Sequence, residues 1–585
     1  MSRADVSARG ITPIFWKGNV VRLVQFVHRC AFLGCLLLLS ACGGGSHDSG
    51  ATTTSSVSTL SFTAATPTST TPGPQTFTAS FSAGTVSLVI NHDGPAISNV
   101  DYTLHGNTAE ITVTPVSPAT IGSGIFTSTI VITGYSCANT SCTQLAPGNA
   151  ETITVTYTIP LNVRFVAPYV GTANKSESVV IRGQGFETFP VQDVQFNGMS
   201  ATSFNVVNDT QIKATYPTLA AGSYAVTVLT PTISAGPATS NASLVLQNAP
   251  SYTATTISYP NSTSQLQRLI YDAERQTLLV ARTTSTSTTE IDTFPYSGSW
   301  NSGSSSAISG LADITLSTNG QQLLSLSQTD VSLLDPVNLT ANTTTAVPAL
   351  PTGDFYKSLA VTNNNNALVT SGYPGSTATP MYVYSITNET FTQPVGIPTS
   401  PVNTPSLNNS IPGISADGSL AVLAQGFSGA GASSIYTFSP ATMSFAIVSN
   451  QTINQYVALP AVDRAGTTVV LNGTNVYRPD FIVPTPPIVK ITLDFTLLGT
   501  LPSTTLAVAI SPDTTKAYTV DSSTSPPLLR TYDLTYNAAG GAFPQIGSGV
   551  SLAGDPGSDI QMTISPDGGT LFIAGTNQIV VQPTP

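Results

Sequence analysis

The sequence predicts an all-β protein in which two β-sandwiches are followed by a seven-bladed β-propeller. Three observations indicate this fold class. Short runs alternate apolar and polar residues along most of the chain, a period typical of strands. Turn-forming Gly, Pro and Asn residues interrupt these runs at intervals of about ten residues. In the C-terminal half, an apolar run, a polar turn and a second apolar run recur about every 50 residues, as in repeated small sheets.

Residues 1–41 are predicted to be a removable export signal. Basic residues precede the apolar run Ala31–Leu39, which is too short to span a bilayer permanently. Leu39–Cys42 resembles the bacterial lipobox, which implies cleavage between Ala41 and Cys42 and attachment of diacylglycerol and a palmitate-type acyl chain to Cys42. A buried helix containing a cysteine is the alternative, but glycines and a polar tract follow at once.

Composition and charge restrict the partners of the exported chain. Without residues 1–41 it keeps 13 of the 18 basic and 28 of the 29 acidic residues, a net charge of −15. Such an acidic chain is not expected to bind nucleic acid or anionic lipid surfaces. Because residue 43 is Gly and not Asp, the lipoprotein sorting rule that this resembles implies the outer membrane, at its cell-surface or its periplasmic face.

Residues 42–58 are rich in Gly, Ser and Thr and include His47, so they are predicted to form a flexible tether. Beyond the tether only Cys137 and Cys142 remain. In an oxidising compartment we expect them to form a disulfide that closes a small loop between two strands. A metal or redox pair is the alternative, but no His lies nearby and the spacing is not Cys-x-x-Cys.

Residues 59–162 have the strand pattern of an Ig-like β-sandwich. The alternating runs are Val86–Ile90, Ala109–Val113, Thr129–Ile132 and Glu151–Tyr157. His92 and His105, near Asp93 and Asp101, are candidate metal ligands in this domain. We favour the alternative that they are solvated loop residues, and we predict no metal and no cofactor.

Residues 163–249 resemble the IPT/TIG family of Ig-like domains. The resemblance rests on Pro168 and on four motifs: Ser178–Phe186, Val194–Gly198, Asp209–Ala214 and Gly222–Val228. Gly183 and Gly185 are expected to permit tight turns at the end of a strand, while Phe186 fills the sandwich. The resemblance implies a spacer or binding module without catalytic residues.

Residues 251–585 are predicted to form the propeller. The repeated turns align at positions 45 to 54 residues apart, namely Arg275, Gly320, Asn365, Gly418, Gly466, Thr514 and Gly568. Seven such repeats predict seven four-stranded blades. The Ser565–Gly568 turn and the apolar run after it resemble YVTN and WD-like propeller repeats. Too few residues follow for a complete last blade, so we predict that Thr253–Tyr259 supplies its outermost strand and closes the ring.

The propeller region contains no histidine, which excludes His-dependent hydrolysis or metal catalysis there. Three turn carboxylates, those of Asp417, Asp513 and Asp567, are expected to accept backbone N–H groups in Asx-type turns. Asp313 and Asp559 precede innermost strands, where propeller enzymes place their active groups.

The aromatic pair Tyr296 and Trp300 is a second candidate contact site in the propeller. The two rings are expected either to form an exposed contact for a sugar or a protein, or to pack between blades. We favour packing between blades, since tryptophan is otherwise absent from the exported chain and no further aromatic platform accompanies it.

These observations favour a non-catalytic, lipid-anchored binding or scaffold protein that presents propeller loops to an unknown protein or polysaccharide. The order of anchor, tether, two spacers and propeller motivates this hypothesis. One alternative is a propeller enzyme, similar to lactonases or lyases, that acts on a sugar or lactone. Another is a subunit of an outer-membrane assembly complex.

Overall fold

A computed structural model describes residues 51–67, 69–82, 85–137, 144–231, 242–373, 379–394, 410–424, 433–439, 444–453, 459–471, 474–482, 492–502, 505–536 and 540–585. The export signal, Cys42, His47 and Cys142 lie outside these residues. The described part is all-β except for one short helix, α1 (Pro118–Ile121). Within it, no helix has the length and apolar character needed to cross a membrane.

The first domain is a β-sandwich of two four-stranded sheets, with orders β1-β3-β6-β5 and β2-β8-β7-β4. Its strands are β1 (Thr53–Ser55), β2 (Thr59–Thr63), β3 (Gln75–Phe81), β4 (Thr85–Asp93), β5 (Ile97–His105), β6 (Thr108–Pro115), β7 (Gly124–Cys137) and β8 (Leu145–Ile159). Alternate residues of each sheet face the core, as Ile111, Ile132 and Tyr157 do. The Ig-like sandwich predicted from the strand pattern is therefore correct.

This domain begins earlier than the predicted boundary at residue 59. Ala51 and Thr53 are each only 1% exposed, and β1 pairs with the edge of β3. Asn149 binds both backbone groups of Thr53, at 2.7 and 3.0 Å. The predicted tether is therefore too long. A Thr-rich stretch lacks an apolar pattern, yet Thr favours strands and pairs at a sheet edge.

The second domain is a sandwich with sheet orders β14-β15-β11-β9 and β10-β17-β16-β12-β13. Its strands are β9 (Asn162–Ala167), β10 (Val170–Thr172), β11 (Ser178–Gln184), β12 (Asp193–Phe196), β13 (Met199–Ser200), β14 (Ser203–Asn208), β15 (Gln211–Thr215), β16 (Gly222–Leu229) and β17 (Ser243–Gln247). Phe186 is buried in its core. A Cβ at Gly183 would lie 1.9 Å from the carbonyl oxygen of Asn162, so only glycine fits this bulge in β11.

The C-terminal domain is a propeller of seven blades, each of four strands. From the innermost strand outward, the blades are β19 (Thr263–Asp272), β20 (Thr277–Thr284), β21 (Thr289–Pro295) and β22 (Ser305–Ala307) in blade 1; β23 (Asp313–Leu316), β24 (Leu323–Leu326), β25 (Asp330–Leu334) and β26 (Ala341–Ala346) in blade 2; β27 (Phe355–Val361), β28 (Asn366–Gly372), β29 (Tyr382–Ser385) and β30 (Thr390–Thr392) in blade 3; β31 (Gly413–Ile414), β32 (Ala421–Ala424), β33 (Ser433–Ser439) and β34 (Ser444–Ile453) in blade 4; β35 (Ala461–Val462), β36 (Val469–Leu471), β37 (Asn475–Ile482) and β38 (Thr492–Thr500) in blade 5; β39 (Thr505–Ile510), β40 (Lys516–Asp521), β41 (Leu528–Asp533) and β42 (Gln545–Ser551) in blade 6; and β43 (Gln561–Ile564), β44 (Thr570–Ala574), β45 (Gln578–Pro583) and β18 (Thr255–Ser258) in blade 7. The outermost strands of blades 4 and 5 also meet in a parallel bridge.

Apolar side chains between successive blades hold the ring together. The second strand of each blade is buried on both faces, so its alternate residues enter two different cores. In β20, for example, Leu278 and Val280 pack toward blade 7, whereas Leu279 and Ala281 pack toward blade 2. This arrangement explains the continuous apolar runs in the sequence.

The ring closes as the sequence predicted. Strand β18, which precedes blade 1 in the chain, pairs antiparallel with β45 of blade 7 from Thr255↔Val581 to Ser258↔Gln578. Ile257 enters the core between blades 7 and 1. The first strand of the domain therefore covers the edge that the last blade would otherwise expose.

The repeated turns join the first and second strands of each blade. One residue of each turn has a positive φ: Gln276, Gly320, Asn365, Gly418, Gly466, Thr514 and Gly568. The predicted alignment is correct in six blades. In blade 1 it is displaced by one residue, since Gln276 and not Arg275 takes the left-handed position. Arg275 instead ion-pairs with Asp272.

Candidate functional site

The second sandwich docks on one end of the propeller. We call this end the turn face, because it carries the seven repeated turns that join first and second strands; the opposite end is the open face. The Tyr169 hydroxyl donates to Asp272 Oδ1 at 3.5 Å, and Gln247 Nε2 donates to the Glu274 carbonyl at 2.8 Å. Both contacts reach blade 1. The sandwich that the family resemblance identified as a spacer or binding module is therefore in direct contact with the propeller.

Arg182 links the sandwich to blade 3. It is 5% exposed, and its Nε donates to Asn363 Oδ1 at 2.8 Å. The amide of Asn363 in turn donates to the Asp417 carbonyl in blade 4. Burial lowers the pKa of Arg182 to about 10, while the charge of Asp417 opposes this shift. The guanidinium therefore stays charged at neutral pH and ties the sandwich to two blades.

Glu177 and Arg464 form an ion pair between the sandwich and blade 5. Arg464 Nη1 donates to Glu177 Oε2 at 2.8 Å, and the Tyr216 hydroxyl donates to the same oxygen at 2.6 Å. Burial, together with the hydrogen bond to Glu177, raises the pKa of Tyr216 above its usual value. Lys175 adds a contact to blade 7, where its Nζ donates to the Asp567 carbonyl at 3.4 Å.

Two cavities flank this interface. The larger, about 730 Å³, lies between residues 174–180 of the sandwich and the turns of blades 4 to 7; we call it the interdomain cleft. The smaller, about 450 Å³, is the part of the central channel that faces the sandwich, and Pro168 and Tyr169 lie at its end. The sandwich thus covers the channel at the turn face.

Asp313 lies at the other end of the inner strands, in a network that uses both of its oxygens. It is 2% exposed. Arg268 donates to it through Nε at 2.7 Å and Nη2 at 2.5 Å. The Ser358 hydroxyl and the Leu359 amide also donate to it. This arrangement joins the innermost strands of blades 1, 2 and 3, and it holds Asp313 as a paired carboxylate.

Asp559 does not join this network. It precedes β43, has a φ of 53° and is exposed at the open face. No hydrogen bond or ion pair links it to Asp313 among the described residues. The two carboxylates singled out in the sequence are therefore not brought together.

Tyr296 and Trp300 pack against the segment that leads into the propeller. The ring of Tyr252 lies 4.7 Å from that of Tyr296 and 5.0 Å from that of Trp300, between centroids. Phe572 of blade 7 contacts the same cluster. Both residues are partly buried beside the core of blades 7 and 1. This is the packing alternative of the sequence analysis.

The other candidate residues are dispersed. His92 lies in β4 and His105 ends β5, both exposed. No group of three or more His, Cys, Asp or Glu residues suitable for a metal occurs in the described part of the chain. Cys137 ends β7, and Cys142 lies outside the described residues, so the disulfide stays a prediction.

The turn carboxylates divide into two kinds. Asp417 accepts the Ser419 amide at 3.0 Å, and Asp513 accepts the Thr515 amide at 3.1 Å, which confirms the predicted Asx-type turns. Asp567 differs, because its Oδ1 is buried without a hydrogen-bond partner among the described residues. The sequence motif alone does not distinguish Asp567 from the other two.

Sequence reasoning missed the buried arginines that hold the domain interface and the inner strands, Arg182 and Arg268 respectively. Arg182 and Arg268 stand within or beside apolar strand segments, and a buried charge requires a partner. In a chain with only 8% charged residues, an arginine within an apolar strand indicates that a partner for its charge lies nearby in the fold. The partner of each arginine lies on a different blade or domain, so the sequence around the arginine does not identify it.

Comparison with known proteins identifies the second sandwich. Residues 162–245 match the model of the IPT/TIG domain family. The expected IPT/TIG domain is therefore present, and we use that name for the second sandwich below. No curated protein matches the chain.

Solved structures similar to the chain include hydrazine synthase from Kuenenia stuttgartiensis, at 13% identity and a TM-score of 0.40, covering 57% of this chain and 99% of that one. Hsv2 from Kluyvelomyces marxianus is similar at 10% identity and a TM-score of 0.32, covering 55% and 97%. A functionally unknown protein from Desulfotomaculum acetoxidans is similar at 12% identity and a TM-score of 0.35, covering 50% and 89%.

Proposed function

We propose that this protein is a non-catalytic lipoprotein of the bacterial outer membrane, which binds an envelope protein or polysaccharide through the open face of its propeller. The observation that carries the proposal is the docked IPT/TIG domain. It occupies the turn face through contacts to blades 1, 3, 5 and 7. Of the two ends of the propeller, the open face is therefore the one that is left available to a partner.

The state of Asp313 supports a binding role over a catalytic one. A general acid or base needs an oxygen that can exchange a proton with substrate. Both oxygens of Asp313 are held by Arg268 and by groups of blade 3. This carboxylate is better suited to fixing the inner strands than to chemistry.

Binding through the open face is testable by adding positive charge to that face. Thr286→Arg and Asp559→Arg place positive charges on exposed loops of the open face, whereas Tyr536→Arg alters an exposed residue beyond the end of β41. We expect binding of the purified protein to isolated outer-membrane proteins or polysaccharide to be lost in the double open-face variant and kept in Tyr536→Arg. Equal binding by the wild type, the Thr286→Arg/Asp559→Arg double variant and Tyr536→Arg would refute the proposal.

The anchor and the disulfide have separate tests. Metabolic labelling with palmitate should mark the wild type and Cys35→Ala, but not Cys42→Ala; label in Cys42→Ala would refute lipidation there. Protease treatment of intact cells distinguishes the cell surface from the periplasmic face. Unreduced mature protein should not react with iodoacetamide at Cys137 or Cys142 if these residues form the proposed disulfide.

A further inference from the structure

We propose that the interdomain cleft binds a ligand with a carboxylate at one end and an ammonium at the other, as in a short unblocked peptide. The cleft volume of about 730 Å³ lies within the range of roughly 300–1,000 Å³ typical of small-molecule sites. This inference goes beyond the proposed function, because it concerns a different ligand and the opposite face of the propeller.

The cleft concentrates charged side chains in a chain that has few of them. Its lining combines four cationic residues, Lys175, Lys213, Arg464 and Lys516, with four carboxylates, Glu177, Asp417, Asp513 and Asp567. A multiply charged anion or cation would meet like charges on these walls. A ligand with separated charges of opposite sign and no net charge matches them better.

Arg464 provides the place for the carboxylate. Its Nη1 is used by Glu177, but its Nε and Nη2 are buried without a hydrogen-bond partner among the described residues. These two N–H groups project in parallel from one edge of the planar guanidinium, which matches the two oxygens of a carboxylate. Arg464 lines the cleft, and in the proposed complex its side chain turns so that this edge meets the ligand carboxylate.

Asp567 provides the place for the ammonium. Its Oδ1 is the buried, unpartnered acceptor described above, and Asp567 lines the same cleft. An unpaired buried acceptor costs free energy that a ligand donor recovers. Arg464 and Asp567 belong to the turns of blades 5 and 7 and line the same cleft, so a ligand that carries one charge at each end can contact both turns.

Calorimetric titration of the full-length protein with unblocked tri-alanine at pH 7 tests the inference. We expect saturable binding of tri-alanine. The N-acetylated and the C-amidated forms of tri-alanine each lack one charge. Each should bind at least about tenfold more weakly than tri-alanine itself. Absence of tri-alanine binding would overturn the proposal. If either blocked peptide bound with the same affinity as tri-alanine, the proposal would also be overturned, because the protein would then not recognise one of the two charges.

Matched variants locate the site. Arg464→Lys keeps the charge and loses the paired donors, and Asp567→Asn removes the anionic acceptor; each should weaken tri-alanine binding about tenfold. The controls are Arg164→Lys, on an exposed part of β9, and Asp559→Asn, at the open face. Thermal melting verifies that each variant is folded. Folded Arg464→Lys and Asp567→Asn proteins with wild-type affinity would refute the site.

Discussion

Gly320 of blade 2 packs directly beneath the ring of Tyr169 in the IPT/TIG domain. A Cβ built on Gly320 would lie 2.0 Å from Cζ and from the hydroxyl oxygen of that ring. The φ of Gly320 is +68°, a conformation that glycine adopts without strain. The same residue therefore satisfies the turn of its own blade and the close approach of the neighbouring domain.

Replacement of Gly320 by alanine should weaken domain docking as well as the turn. The backbone strain alone costs about 1–2 kcal/mol, and the clash with Tyr169 adds to it. Gly298→Ala is the matched control, because Gly298 has a φ of +89° but nothing within 4 Å of the added Cβ. Urea unfolding should show a larger loss of stability for Gly320→Ala than for Gly298→Ala.

The double variant Gly320→Ala/Tyr169→Ala isolates the contact. Removing the ring relieves the clash, so the two substitutions should be less damaging together than the sum of their separate effects. If the losses of stability from the two single substitutions simply added in the double variant, Tyr169 would not be in contact with Gly320 in solution.

Asp313→Asn should destabilise the propeller, because it removes the carboxylate that ion-pairs with the mostly buried guanidinium of Arg268. The expected loss is about 3–5 kcal/mol in free energy of unfolding. Asp559→Asn, at an exposed position, should change this free energy by less than about 0.5 kcal/mol. A fully stable Asp313→Asn protein that had lost a measurable turnover would instead identify Asp313 as catalytic and favour the enzyme alternative.

The parts of the fold that could be predicted depend on local periodicity. Residues buried between blades leave continuous apolar runs, as in Leu278–Ala281, and left-handed turn residues recur at a nearly constant spacing. Ring closure followed from counting the strands left after Gly568. Each of these signals lies within one repeat or results from the number of repeats.

Domain docking could not be predicted in this way. The hydrogen bond from Arg182 to Asn363 joins residues 181 positions apart, and that from Arg464 to Glu177 joins residues 287 positions apart. Neither partner belongs to a periodic pattern that involves the other. The same limit explains why Asp313, placed correctly at the start of an inner strand, gave no sign of its pairing with Arg268.

Ring closure depends on β18, and Ile257→Ala measures its contribution. Ile257 is 7% exposed in the core of blades 7 and 1, so its truncation should cost about 2–5 kcal/mol. Thr256→Ala, at the neighbouring exposed position, is the control and should be nearly neutral. Deletion of residues 251–260 should abolish cooperative unfolding of the propeller by exposing the edge of β45. A deletion variant that melts like the wild type would contradict closure by this strand.

Acid should destabilise blade 6 through Asp521. The Ser523 hydroxyl donates to Asp521 at 2.6 Å, and Arg530 Nη2 lies 2.7 Å from the other carboxylate oxygen. The hydrogen bond from Ser523, followed by its backbone amide and Arg530, outweighs burial and lowers the pKa of Asp521. In the unfolded chain this pKa is about 3.9.

A carboxyl whose pKa is lower in the folded state contributes stability that is complete above the unfolded value and is lost as pH falls through the folded one. Asp521→Asn should therefore be less stable than the wild type at pH 7, and the gap should narrow steadily below about pH 4. Urea unfolding at a series of pH values, with Asp559→Asn as the control, measures this gap. A constant difference between wild type and Asp521→Asn from pH 7 to pH 2.5 would show that the loss comes from packing and not from the charge.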